Sequence, residues 1–121
     1  MSKRKRPTSK KFRERYPRIK GNFYRRFDSK GGHPARVYHS DPLNDTYFIQ
    51  RFSRHGRKDR KRLKHNIDPS SQEEQWLIKI PEAVGYDDMA YDANFTNYRI
   101  HPDDEKTIVK YQKYDLKKKN R

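Results

Sequence analysis

No cysteine occurs among the 121 residues, which excludes a disulfide framework, a thiolate metal site and a cysteine nucleophile. The chain therefore fits a reducing compartment. Long apolar runs are missing too. Nothing approaches the roughly 18 consecutive apolar residues of a membrane span, and the charged start is not followed by the apolar stretch of a signal peptide. The expectation is a soluble, cytoplasmic protein with no membrane partner. An Arg-rich start also suits an organelle presequence, but Glu14 and the lack of an amphipathic period argue against that. Only five glycines are present. None belongs to a glycine-rich phosphate loop or a nucleophile elbow, so nucleotide hydrolases and serine hydrolases are set aside.

What the chain has is cationic charge in blocks. Residues 1–30 carry 13 Lys/Arg against 2 Asp/Glu, and 51–65 carry 8 against 1. Residues 66–105 reverse the balance with 2 against 10, and 106–121 return to 7 against 1, for a net charge of +15. Each cation that neutralises a phosphate releases a condensed counterion, so nucleic acid is the partner this composition favours. An acidic protein is the other partner class that fits the charge. A protein inhibitor of a nucleic-acid enzyme would carry a similar pattern. A solvated, solubilising face is the plainer explanation of such charge, but it does not account for tight clustering.

Apolar residues make up 30% and charged residues 39% of the chain, close to the composition of disordered proteins, yet 13% are aromatic. Between Phe23 and Tyr111 aromatic and β-branched residues recur often enough for one small domain. The expected organisation is a flexible basic arm over 1–20, a single α+β domain over 21–115 and a basic tail over 116–121. In the arm, Lys3, Arg4, Lys5, Arg6, Lys10, Lys11 and Arg13 alternate with Phe12 and Tyr16, a pattern suited to following phosphates while rings stack on bases. Phe23, Tyr24 and Phe27 are expected in the core.

His33–His39 and Thr46–Phe52 have strand composition and are separated by the turn residues Pro42, Asn44 and Asp45, which predicts a hairpin. The next stretch, Ser53 to Arg62, is too polar for core and is expected as an exposed loop. Leu63–Ile67 and Glu74–Ile80 read as further strands, the second buried. Gly85–Asn97 is acidic and aperiodic, an irregular loop with Tyr86, Tyr91 and Phe95 folded back. The acidic block over 66–105 is placed to fold over basic surface. Pro102 followed by Asp103, Asp104 and Glu105 marks a helix start, with Ile108 and Tyr111 on one apolar stripe. Together these elements predict a small curved antiparallel sheet closed by a C-terminal helix.

Binding chemistry is concentrated in Arg54, Arg57, Lys58, Arg60, Lys61, Arg62 and Lys64, seven cations within eleven residues, enough to engage several phosphates at once. Catalytic chemistry would use the five histidines, whose side chains titrate near neutrality. His33, Arg36, Ser53, Arg54 and His55 include the base, acid and cation types that a metal-free ribonuclease needs, although their spacing carries no signature. A surface or phosphate-contact role is the more ordinary one for any single histidine. Neither the His33/His39 nor the His55/His65 spacing matches a compact ligand pattern. The Asp103–Glu105 carboxylates are explained by the helix start. No metal and no cofactor are expected.

The segment Gly32-His33-Pro34-Ala35-Arg36-Val37-Tyr38 resembles the R-P-A-L-V-I strand of PemK/MazF-like toxins and related small basic proteins of bacterial plasmids and conjugative elements. Tyr47 to His55 resembles their following strand, and Leu63–Pro69, Trp76–Pro81 and Tyr98–Glu105 resemble later strands and the closing helix, a span of roughly 33–114. The resemblance implies an SH3-like barrel with a helix. It also implies sequence-selective, metal-independent RNA cleavage with acting groups near Arg36 and Ser53. The long basic arm in place of a glycine-rich opening and the charged 54–64 loop depart from that pattern. Three functions follow as expectations. The first is a nucleic-acid-binding protein of a bacterial mobile element, with RNA favoured over DNA. The others are an endoribonuclease toxin and a structural protein of a ribosome-like particle.

Overall fold

A computed structural model of the protein describes residues 8–27 and 32–119, with side chains through Lys113. In chain order the elements are α1 Lys10–Arg15, β1 Phe23–Arg26, β2 His33–Asp41, β3 Thr46–Ser53, β4 Arg60–Arg62, β5 Trp76–Ile78, β6 Glu82–Val84, β7 Met89–Ala90 and α2 Pro102–Lys119. All pairings are antiparallel, in the order β4-β5-β3-β2-β1-β7, and β6 also pairs with β3. This is the expected α+β architecture of a curved antiparallel sheet with a C-terminal helix. Among the described residues no pairing joins β4 to β7, so the sheet is open rather than closed into a barrel.

The β2–β3 hairpin is the trunk of the sheet. Its turn is a short 3-10 segment, Pro42–Asn44, and Asp45 follows in the left-handed region at φ 46°, a conformation that aspartate tolerates better than most residues. Asn44 Nδ2 donates to Asp41 Oδ2 at 2.7 Å and closes the loop. A register shift between Val37 and His39 bends β2.

Strand alternation then divides the core in two, because directly paired residues share a face. Tyr24 pairs with Ala35, and Val37 with Ile49. Together with Tyr47, Val84, Tyr86 and Met89 these residues form one buried cluster. Phe23 pairs with Arg36, and Arg36 with Gln50, on the opposite face. There Phe23 and Phe52 pack with Leu63, Ile67, Leu77, Phe95, Tyr98 and the helix residue Ile108. Gln50 is fully buried but satisfied, since Nε2 donates to the Ile108 carbonyl at 2.8 Å and Oε1 accepts from Gln112 Nε2 at 2.9 Å. The helix is therefore located by a polar pair as well as by apolar contact.

Several expectations are corrected. The strand in the basic stretch is Arg60–Arg62, not Leu63–Ile67. An edge strand can leave Lys61 and Arg62 in water while its main chain pairs, whereas Leu63 and Ile67 leave the ladder to plug the core. Glu82–Val84 and Met89–Ala90 are strands that the sequence pattern did not suggest. Tyr86 and Phe95 are buried as expected, but Tyr91 is 68% exposed and Phe27 40%. The helix continues to Lys119, beyond the expected domain end at 115.

The arm also differs. Residues 1–7, with Lys3, Arg4, Lys5 and Arg6, lie outside the described residues, but 8–20 are docked on the body. Ser9 caps α1 by accepting from the Phe12 amide at 3.1 Å. Thr8 donates to Asp87 through its amide (3.1 Å) and its hydroxyl (2.9 Å).

Ile49, fully buried on the central strand, is expected to lose about 2–5 kcal/mol of stability as Ile49→Ala. Leu43→Ala, at a side chain 97% exposed, should shift stability by less than about 0.5 kcal/mol. Urea unfolding of the two variants checks this, and equal midpoints would contradict the assignment of the core.

Candidate nucleic-acid interface

The basic stretch 53–64 is ordered by one arginine. Ser53 is buried, and its Oγ accepts from the His55 amide at 3.1 Å and from Arg60 Nη1 at 2.7 Å. Arg60 Nη1 also donates to the His55 carbonyl at 2.7 Å. The Arg60 side chain is only 10% exposed, so it holds the turn rather than facing outward. Gly56 allows the turn to close. A Cβ there would lie 2.7 Å from the Trp76 ring, so the backbone can rest on the indole only without a side chain. The Lys79 amide donates to the Asp59 carbonyl at 2.9 Å and anchors the far end.

The remaining cations of this stretch divide by partner. Arg54 pairs with Glu73 at 3.2 Å and Arg62 with Glu74 at 3.0 Å, all four side chains more than half exposed. Such pairs are worth little and yield readily to a competing phosphate. Arg57, Lys58, Lys61 and Lys64 are exposed. Among the described residues no salt bridge engages them.

A second basic surface is the strap formed by residues 8–20. Arg18 is its fastener. Nη2 donates to the Met89 carbonyl at 2.8 Å and to the Tyr86 carbonyl at 3.2 Å, and the guanidinium lies 3.8 Å from the centre of the Tyr86 ring. The Tyr86 hydroxyl donates to the Tyr16 carbonyl at 2.5 Å, and the Ile19 amide donates to the Tyr24 hydroxyl at 2.7 Å. Arg13 sits between Asp45 (3.5 Å) and Asp87 (3.8 Å). Burial pushes the Tyr86 hydroxyl above its ordinary value although Arg18 opposes the shift, which keeps it a neutral donor. Lys11 and Lys20 remain exposed, and Lys10 has only a 4.0 Å pair with Glu14.

Between the strap and residues 90–99 lies a groove of about 1080 Å³, lined by Tyr16, Ile19, Phe23, Tyr91 and Tyr98, with Arg15 and Arg99 among its cations. Tyr16 is 53% and Tyr91 68% exposed. Burial and the Asp68 charge push the Tyr98 hydroxyl up, and the positive field of Arg54 opposes them.

The residues proposed for catalysis are only partly assembled. Ser53 meets His55 only through the His55 backbone amide, and its hydroxyl is occupied as an acceptor from that amide and from Arg60, which serves the fold. Arg36 lies on the helix-covered face, 3.9 Å from Glu105. His33 starts β2 opposite Arg26.

Sequence spacing overlooked two features. One is the groove, because Tyr16 is far in the chain from Tyr91 and Arg99. The other is a junction of His65, His101 and Asp103. His65 Nε2 is 2.8 Å and His101 Nδ1 3.5 Å from Asp103 Oδ2, and the imidazoles stack at 3.6 Å with 18° between planes. The hydrogen bond from His65, helped by the positive field of both rings, holds the Asp103 carboxyl below the usual carboxylate range. Only the 36-residue interval separating the two histidines hides the junction from a motif search.

Replacing Arg18 with Ala should free the strap while leaving the sheet intact. Hydrogen exchange over residues 10–20 is expected to rise by about tenfold or more, with β3 amides unaffected. Equal exchange in the strap would show that other contacts hold it.

No family model, no curated protein and no solved structure matches the chain.

Proposed function

We propose that the protein binds nucleic acid, RNA in preference to DNA, through phosphate contacts from the 54–64 stretch and the strap. The observation that carries this reading is the set Arg57, Lys58, Lys61 and Lys64, exposed on a backbone ordered by Ser53 and Arg60. Exposed cations that no salt bridge engages among the described residues gain most from a phosphate, because no such ion pair has to be broken. Arg54 and Arg62 can join by exchanging Glu73 and Glu74 for phosphate.

The aromatic groove supports the preference for unpaired RNA. A base stacked on an exposed ring contributes about 1–3 kcal/mol, and RNA loops present such bases where a duplex does not. Tyr16 and Tyr91 are the exposed rings, with Arg15 and Arg99 beside them for the backbone. Binding is preferred over cleavage because the Ser53 hydroxyl already serves the fold and Arg36 faces Glu105.

The test is binding to labelled single-stranded RNA, duplex RNA and duplex DNA across a salt series, with substrate integrity followed in EDTA. Replacing Arg57, Lys58, Lys61 and Lys64 together by alanine should reduce the slope of log affinity against log salt by about 3, at roughly 0.7–0.9 per phosphate contact. An unchanged slope would remove this stretch from the interface. The pair Tyr16→Ala/Tyr91→Ala should weaken single-strand binding by about 1–3 kcal/mol for each stacked base lost and leave duplex binding unchanged. Equal losses on both would remove the groove. Cleavage that persists in EDTA would replace the binding reading with that of an endoribonuclease.

A further inference from the structure

We infer that His65, His101 and Asp103 form a binding site for one divalent transition-metal ion of the zinc class, which clamps the end of the basic stretch onto the start of α2. The inference is independent of nucleic-acid binding and rests on how these side chains converge.

The donor atoms have the right spacing. In a tetrahedral shell with metal–nitrogen and metal–oxygen bonds near 2.0–2.2 Å, neighbouring donors lie about 3.3–3.6 Å apart. Here the His65–Asp103 and His101–Asp103 separations are 2.8 and 3.5 Å, and all three donors lie within 4.8 Å of one another. Seating an ion requires the first separation to open by about 0.5–0.8 Å and the imidazoles, stacked at 3.6 Å with 18° between planes, to turn so that their in-plane lone pairs converge. Two imidazoles and one carboxylate suit zinc, cobalt or nickel rather than magnesium or calcium, which take oxygen ligands. Three protein donors leave a position for water, since the group is solvent-exposed.

The convergence is built by the backbone. Asp104, the neighbour of Asp103, is buried, and its carboxylate accepts from the amides of Lys64 (2.8 Å) and His65 (2.9 Å). That grip fixes His65 against the helix start. The Asp104 amide donates to the His101 carbonyl at 2.9 Å and fixes His101 one turn away. The ligands thus arrive from two segments whose backbones are held together by a buried residue that is not itself a ligand.

Charge favours the ion as well. The helix N-terminus opposes a cation, but Asp103, Asp104 and Glu105 outweigh the partial charge of roughly half a unit there. Two existing hydrogen bonds must be given up, the 2.8 Å bond between His65 Nε2 and Asp103 Oδ2 and the 3.1 Å bond from the Asp103 amide to His101 Nδ1.

The experiment is calorimetric titration of the full chain with Zn²⁺ at neutral pH, repeated with Co²⁺ to follow its visible absorption. One ion per chain is expected. His65→Ala, His101→Ala and Asp103→Asn should each weaken binding by more than about tenfold. His39→Ala and His55→Ala, which alter histidines elsewhere, should leave it unchanged. Circular dichroism of each variant separates loss of ligand from loss of fold, and Asp103→Glu keeps a carboxylate where refolding fails. Zinc binding that is absent, or that His65→Ala and His101→Ala leave intact in folded protein, would overturn the inference.

Discussion

Self-repulsion is the constraint on which this structure depends. A chain of net charge +15 pays heavily for compactness unless its carboxylates are placed where cations converge. The acidic segment supplies them at intervals along the sheet. Glu82 on β6 lies between Arg26 of β1 (3.2 Å) and Arg51 of β3 (2.9 Å), and Asp92 holds Arg25 at 2.6 Å. These pairs are partly buried and geometrically close, unlike the exposed Arg54–Glu73 and Arg62–Glu74 pairs. The closer set organises strands, while the exposed set leaves its cations exchangeable. Burial alone would raise the Asp92 carboxyl, but the Asn94 amide and Arg25 outweigh it and the net shift is downward. A depressed carboxylate stabilises the fold above its unfolded-state value, and that contribution is lost only as pH falls below the ordinary carboxylate range.

The same constraint explains why the core is divided. With so few apolar residues, one thick core is out of reach, and both faces of the β2–β3 trunk carry a thin layer rich in aromatic rings. Rings supply large buried areas per residue and tolerate polar neighbours at their hydroxyls. Tyr86 illustrates both uses: its side chain is fully buried, its hydroxyl holds the strap, and its ring face receives Arg18. A tyrosine thus lets a basic segment belong to the folded body without a carboxylate for every cation.

How much of this could be read from the sequence follows from interaction range. The hairpin was legible because alternation and the turn residues Pro42 and Asn44 are local signals, and α2 because Pro102 and three acids mark its start. The strand Arg60–Arg62 was not, since three consecutive cations show no apolar alternation. Docking of residues 8–20 was also hidden. It depends on partners about 70 residues away, as in Arg18 with Met89 and Tyr86 with Tyr16. Of the candidate interface, the cations of 54–64 were evident from composition. Which of them serve the fold was not, because only the structure sets Arg60 against Ser53. The His65–His101–Asp103 junction required the helix and the basic stretch to be placed side by side.

That division of labour among the cations bears on how the proposed phosphate surface would work. Cations on an unstructured tail attract a polyanion but must be ordered on contact, at about 0.5–1.5 kcal/mol for each side chain immobilised and more for the backbone. In the 54–64 stretch the backbone is already ordered, because Arg60 joins Ser53 to the His55 carbonyl and Gly56 rests on Trp76. Withdrawing one arginine from the surface therefore lowers the ordering cost for its neighbours Arg57, Lys58 and Lys61. Buried Asp104 extends the ordering by two residues, since it grips the amides of Lys64 and His65. Shape, and not only charge, is thereby fixed along the stretch. A surface whose cations keep a set spacing can favour one phosphate arrangement over another, which a tail of equal charge cannot do.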